Sequence, residues 1–133
     1  MGVVTREIAE AEITGWLDKK KIMSQQREEN KSSIDTLIEA IAEGVLTLDP
    51  DTNIFTHKLL FPTDGEMPVT ELTYKPRLND NMLRQYLSGV KPADVDGRIL
   101  AYMAALTGKA KGILSALDTA DKRIATSIVL FFL

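Results

Sequence analysis

Apolar residues at Val4, Ile8, Ala9 or Ala11, Ile13, Trp16 and Leu17 recur every three or four positions, the spacing that lines one face of an α-helix. The pattern predicts a helix over about 4–22, with its start near Thr5. Gly15 lies inside it and costs about 1 kcal/mol relative to Ala, so the segment needs packing partners to gain order. Ser24 to Ser33 then contains no apolar residue, which fits either a solvated helix face or a connector. Ile34, Leu37, Ile38, Ile41 and Val45 restore the helical stripe, with Gly44 placed to end it, so a second helix is predicted over about 32–43. The first part of the chain therefore reads as a helical hairpin.

The period then changes from three-and-four to two. From Ile54 to Phe61 the side chains of Phe55, His57, Leu59 and Phe61 alternate with Thr56 and Lys58, and from Val69 to Tyr74 those of Thr70, Leu72 and Tyr74 alternate with Glu71 and Thr73. That is the signature of half-buried strands. The stretch Pro62 to Pro68 between them is rich in turn formers, which predicts an antiparallel hairpin. Two strands alone are marginal in water. They require helices against them, or a further strand such as Val45 to Leu48 or one from a second copy.

Beyond Pro76 the pattern is helical again. Met82, Leu83, Tyr86 and Leu87 mark a short helix ended by Ser88-Gly89, and Val95, Ile99, Leu100, Met103 and Leu106 mark a longer one ended by Thr107-Gly108. A short turn of helix falls around Ile113 and Leu114. A last helix follows Asp118, with Ile124, Ile128, Phe131 and Phe132 as its stripe. The fold class is thus α+β and mostly helical: an N-terminal helical hairpin, one antiparallel β-hairpin, and a C-terminal bundle of three to four helices.

Charge divides the chain in the same place as the turn Asp49-Pro50-Asp51-Thr52-Asn53. Residues 1–53 hold 6 basic against 11 acidic side chains, and residues 54–133 hold 10 against 8. The division suggests an acidic hairpin over 1–53, either an appendage or part of the same domain, followed by a hairpin-plus-helices unit over 54–133. The length of 133 residues fits one compact domain. The formal net charge of -3 disfavours a protein that works by neutralising nucleic-acid phosphates. The longest apolar run, Ile128 to Leu133, is far below the ~20 residues needed to span a bilayer. The charged residues after Thr5 replace the apolar stretch of a secretory signal, and a cytoplasmic location is expected.

Little in the chain suggests catalysis. With no cysteine and one histidine, Cys-ligated zinc, a Cys nucleophile and multi-histidine metal ligation are excluded within one chain. No cofactor or metal is expected. The candidates for acid–base work are His57, the pair Asp94 and Asp96, and the pair Asp118 and Asp121. His57 reads as a partly buried strand residue, and both aspartate pairs read as helix caps. Lys19, Lys20 and Lys21 read as a solvated helix end, where cations are favoured. The segment Met82 to Leu106 has the proportions of a helix-turn-helix, which keeps a small DNA-binding or regulatory protein as the alternative. The second helix of that segment, however, offers Asp94, Asp96, Gly97, Arg98 and a run of alanines, a poor set of base readers.

The order of pieces in the second half resembles a known family. His57-Lys58-Leu59-Leu60-Phe61-Pro62 is followed by Val69-Thr70-Glu71-Leu72-Thr73-Tyr74-Lys75-Pro76-Arg77. Next come Ile99-Leu100-Ala101 and Leu106-Thr107-Gly108, and then Leu117-Asp118 with Asp121 leading into Val129, Phe131 and Leu133. This ordered set, spread over a little more than half the chain, is similar to the tail assembly chaperones of tailed bacteriophages, of the type found in Mu-like phages and prophages. The resemblance implies a protein that is not an enzyme. It would bind the long helical tape measure protein and help the tail tube protein polymerise around it, be absent from the finished virion, and in many members also exist as a longer frameshifted form. A client-binding protein of this kind needs apolar surface and gains from acting as a homo-oligomer. The partner-binding candidates are Leu130, Phe131 and Phe132 of the apolar C-terminus and the stripe Ile34, Leu37, Ile38 and Ile41.

Overall fold

The computed structural model describes residues 3–133 as a mostly helical α+β fold. Helix α1 spans Arg6–Lys19 and is capped by Thr5, whose hydroxyl accepts from the Ile8 amide. It buries Ala9, Ile13, Trp16 and Leu17, whereas Ile8 and Ala11 of the predicted stripe face solvent. The helix ends in a Schellman motif: the Lys21 amide reaches the Asp18 carbonyl and the Ile22 amide reaches that of Leu17. Lys21 there adopts a left-handed φ of 60°, a conformation that suits glycine far better.

The polar stretch is a short helix, α2 (Ser24–Glu29), with no buried residue. Its place is fixed by Arg27, which donates to the Ile22 carbonyl at 3.0 Å and to the Asp18 carboxylate at 2.8 Å. Helix α3 (Lys31–Ala42) starts at once and runs back along α1, so that the Val4 amide meets the Ala42 carbonyl. Gly44 ends it at φ 80°, with the Gly44 and Val45 amides bonded to Ile41 and Ala40.

The strands form one antiparallel sheet in the order β1 (Leu46–Leu48), β2 (Phe55–Lys58), β3 (Glu71–Tyr74). His57 stands opposite Leu46 on one side and Leu72 on the other. The third strand that a marginal hairpin requires is thus supplied by Val45–Leu48 of the same chain. β2 is shorter than the run Ile54–Phe61, and its alternation stops at Leu59. Phe55, His57 and Leu59 are buried as predicted, but Phe61 is 58% exposed.

Four helices complete the fold: α4 (Asp80–Leu87), α5 (Val95–Thr107), α6 (Lys111–Ser115) and α7 (Thr119–Val129). α5 ends at Gly108 in the left-handed region. α7 packs on both α3 and α5, so one continuous core draws on residues from Ala9 to Phe131. At its centre Trp16 meets Phe55 and Phe131 edge-on, with ring centroids 4.8 and 5.6 Å apart. Among the described residues no helix is long and apolar enough to cross a membrane.

Candidate functional site

The one polar constellation inside the core joins the sheet to α7. His57, at the middle of the sheet, and Asp121, in the first turn of α7, have no exposed surface. His57 Nε2 lies 3.1 Å from Asp121 Oδ1, and His57 Nδ1 lies 3.2 Å from the Tyr74 hydroxyl. The same carboxylate accepts the Leu60 amide on Oδ1 at 2.8 Å and the Phe61 amide on Oδ2 at 2.9 Å. Those two amides follow Leu59, just past β2, whose own amide bonds the Thr70 carbonyl across the sheet. Asp121 thus takes over where the ladder stops, which is the physical reason that β2 ends early and Phe61 turns outward.

Proton positions follow from this geometry. With Asp121 accepting the Leu60 and Phe61 amides, His57 Nε2 is placed to donate to Oδ1 and the Tyr74 hydroxyl to donate to Nδ1, an arrangement that a neutral imidazole satisfies. Burial lowers the His57 pKa, and the Asp121 charge and hydrogen bond oppose that shift without cancelling it. Burial, followed by the Asp121 charge, pushes the Tyr74 phenol far above its usual range, so it stays protonated. Among the described residues no buried side-chain polar atom is left without a partner.

A histidine between a carboxylate and a hydroxyl has the connectivity of a general base, but all three groups are sealed in the core and present no atom to a substrate. Sequence reasoning assigned Asp121 to capping. Only Asp118 caps α7, through a 2.9 Å bond from the Ala120 amide. Asp121 instead looks across to β2, and its burial corrects that assignment. Asp94 does cap α5 through the Gly97 amide, and Asp96 is exposed in the first turn. The sequence reading missed the constellation; the signal that could have found it is the lone histidine on an apolar strand face, since a buried imidazole demands partners for both nitrogens. No group of three or more His, Asp or Glu side chains suited to a metal exists among the described residues.

The apolar partner-binding candidates divide. Leu37, Ile38, Ile41 and Phe131 are core residues of this chain, because α1, α7 and the sheet cover the α3 stripe and Trp16 covers Phe131. They offer no surface to a second molecule. Ile34, Leu130 and Phe132 are half-buried. The large apolar side chains that do face solvent include Leu60, Phe61 and Met67 around the β-hairpin loop, at 49%, 58% and 91% exposure. The α5 helix of the helix-turn-helix alternative buries Ala101 and Met103 to Leu106, and the part of it that is not buried, Val95 to Leu100, offers Arg98 as its one cation.

Compared with known proteins, the chain matches no family model, no curated protein and no solved structure.

Proposed function

We propose that the chain is a tail assembly chaperone of a tailed phage or prophage, one that binds the tape measure protein and assists tail tube polymerisation without catalysing a reaction. The observation that carries this reading is the meeting of signature pieces remote in sequence. His57, Leu60, Phe61, Tyr74 and Asp121 come from three separate segments of the resemblance and share one hydrogen-bonded cluster. These three pieces of the resemblance thus serve one buried arrangement, which supports reading them together.

Two further features support the reading. The titratable groups with the connectivity of a catalytic set are buried and fully hydrogen-bonded, which suits a binding protein better than an enzyme. The carboxylate that anchors the Leu60 and Phe61 amides also holds an apolar pair in solvent at the end of β2, where the apolar face of a long helical client has something to bury. On this reading the protein acts in the cytoplasm of the host cell and leaves before the virion is complete.

The test is to read the genes that flank this one and to co-express the chain with a tape measure protein found among them. The expected result is a tape measure that is soluble and co-elutes with this chain, and is insoluble without it. A tape measure whose solubility is unchanged, with no co-elution, overturns the reading. So does a gene neighbourhood with no tail genes.

A further inference from the structure

The two ends of α7 touch clefts of opposite charge. At the C-terminal end, Phe132 and Phe131 line a cleft of about 230 Å³ together with Lys20 and Arg77. Lys20 and Arg77 also line an adjoining cleft of about 390 Å³ with Lys19 and Lys75. Lys20 is half-buried, with its ammonium 3.5 Å from the centroid of the Phe132 ring. Among the described residues none of these four cations has a carboxylate within 4.0 Å. Lys19 is occupied by the Pro50 carbonyl at 2.8 Å, and Asp80, at the start of α4, is the one acid lining either cleft. Burial, and then the neighbouring Arg77, lower the Lys20 pKa to about 8.

At the N-terminal end of α7, Ala120, Arg123 and Ile124 line a cleft of about 480 Å³ against Glu39 and Glu43 of α3, with Leu60 at its side. Both glutamates are exposed, and Arg123 reaches neither carboxylate within 4.0 Å. From Ile124 to Phe132 a helix rises about 12 Å, so the carboxylates of one cleft form no contact ion pair with the cations of the other.

We propose that the basic groove of Lys20, Lys75 and Arg77 receives the acidic end of a second copy, Glu39 and Glu43, in a head-to-tail contact. The occupant follows from charge complementarity: the chain carries at one end the carboxylates that its other end lacks, beside a half-exposed Leu60 that such a contact would cover. A phosphate backbone fits less well, because the whole chain is negative. A heterologous contact of this kind repeats from copy to copy and closes into a ring or extends as a filament. The proposal does not rest on the chaperone reading.

The test is sedimentation velocity on the full chain and on two variants, Lys75→Gln/Arg77→Gln and Glu39→Gln/Glu43→Gln. All four positions are exposed, so the fold tolerates both changes. The wild type is expected to associate at about 20 mM salt and to lose at least about tenfold in affinity at about 500 mM, where charges are screened over a few ångström. Each variant alone is expected to be monomeric. Mixed, they are expected to form a dimer that grows no further, because each retains one working end. A monomeric wild type at low salt overturns the proposal, and if that monomer binds a glutamate-rich peptide, the groove belongs to another acidic protein. Association that survives in either variant alone also overturns it.

Discussion

Asp118 and Asp121 look alike in the sequence, three residues apart at the start of one helix, yet the structure gives them different energetic weight. Asp118 accepts one exposed amide, and its change to Ala is expected to cost about 1 kcal/mol, as for an ordinary N-cap. Asp121, itself fully buried, accepts three donors: the buried His57 Nε2 and the part-buried Leu60 and Phe61 amides. Each hydrogen bond to a charged acceptor is worth about 1.5–3 kcal/mol, and the three are not additive because they share one carboxylate. Leaving the imidazole and two amides unpaired places Asp121→Ala at about 3–5 kcal/mol, a large part of the total stability of a domain this size. Asp121→Asn keeps the shape but turns an N–H donor toward one of the three donors, and should fall between the two. Urea unfolding followed by circular dichroism gives all three differences, provided the m-value is unchanged. If Asp121→Ala costs no more than Asp118→Ala, the carboxylate is not organising the core and the argument fails.

The single histidine makes acid sensitivity assignable. The folded His57 pKa lies below the unfolded value of about 6.5, so the unfolded chain binds the extra proton first. Its contribution is fully present above about pH 6.5 and is lost as the pH falls toward the folded pKa. The urea midpoint should drop between pH 7.5 and 5.5, and His57→Gln, which keeps a donor toward Asp121, should show a smaller drop; equal drops would assign the sensitivity elsewhere. Lys21→Gly should stabilise the chain by about 1 kcal/mol, because φ 60° costs a lysine what it does not cost glycine; an unchanged thermal midpoint would refute that. Phe131→Ala should cost about 3–5 kcal/mol and Phe132→Ala distinctly less, since only the former is enclosed. The sole tryptophan, buried against Phe131, reports the loss as a red shift of its emission, and equal effects would contradict the packing.

The periodicities were sufficient for the elements that have a single buried face. Leu37, Ile38 and Ile41 had to be covered, and Gly44 and Gly108 stand where a left-handed residue ends a helix. The stretch Ser24–Ser33 was ambiguous because α2 buries nothing; its order comes from the tether of Arg27 to Asp18 and Ile22, and no period encodes a tether. The apolar stripes of α3 and α7 looked like partner surfaces because a stripe states that something covers it and not what does. α1, α7 and the sheet cover the first, and Trp16 lies against the second. The role of Asp121 was hidden for a related reason. Position within a helix predicts a cap, and only the tertiary fold brings two amides from 60 and 61 residues away to the same carboxylate.

The buried cluster has an order of necessity. A buried carboxylate with its hydrogen-bond partners is not the most stabilising content for a core, and apolar replacements of similar volume are often as stable. The Leu60 and Phe61 amides, however, leave the sheet and need an acceptor whatever fills the volume beside them, so an apolar residue at position 121 would strand both. The carboxylate answers that backbone need, and once it is buried its charge calls for a further donor, which His57 Nε2 supplies. The neutral imidazole then exposes an acceptor at Nδ1, and the Tyr74 hydroxyl closes the chain. Each member is required by the one before it, starting from the point where a strand turns outward and sets Leu60 and Phe61 in solvent. The polar core is therefore the cost of presenting that apolar pair at a fixed place. Removing Leu60 and Phe61 together should leave stability nearly intact and act on partner binding, whereas removing Asp121 should act on both.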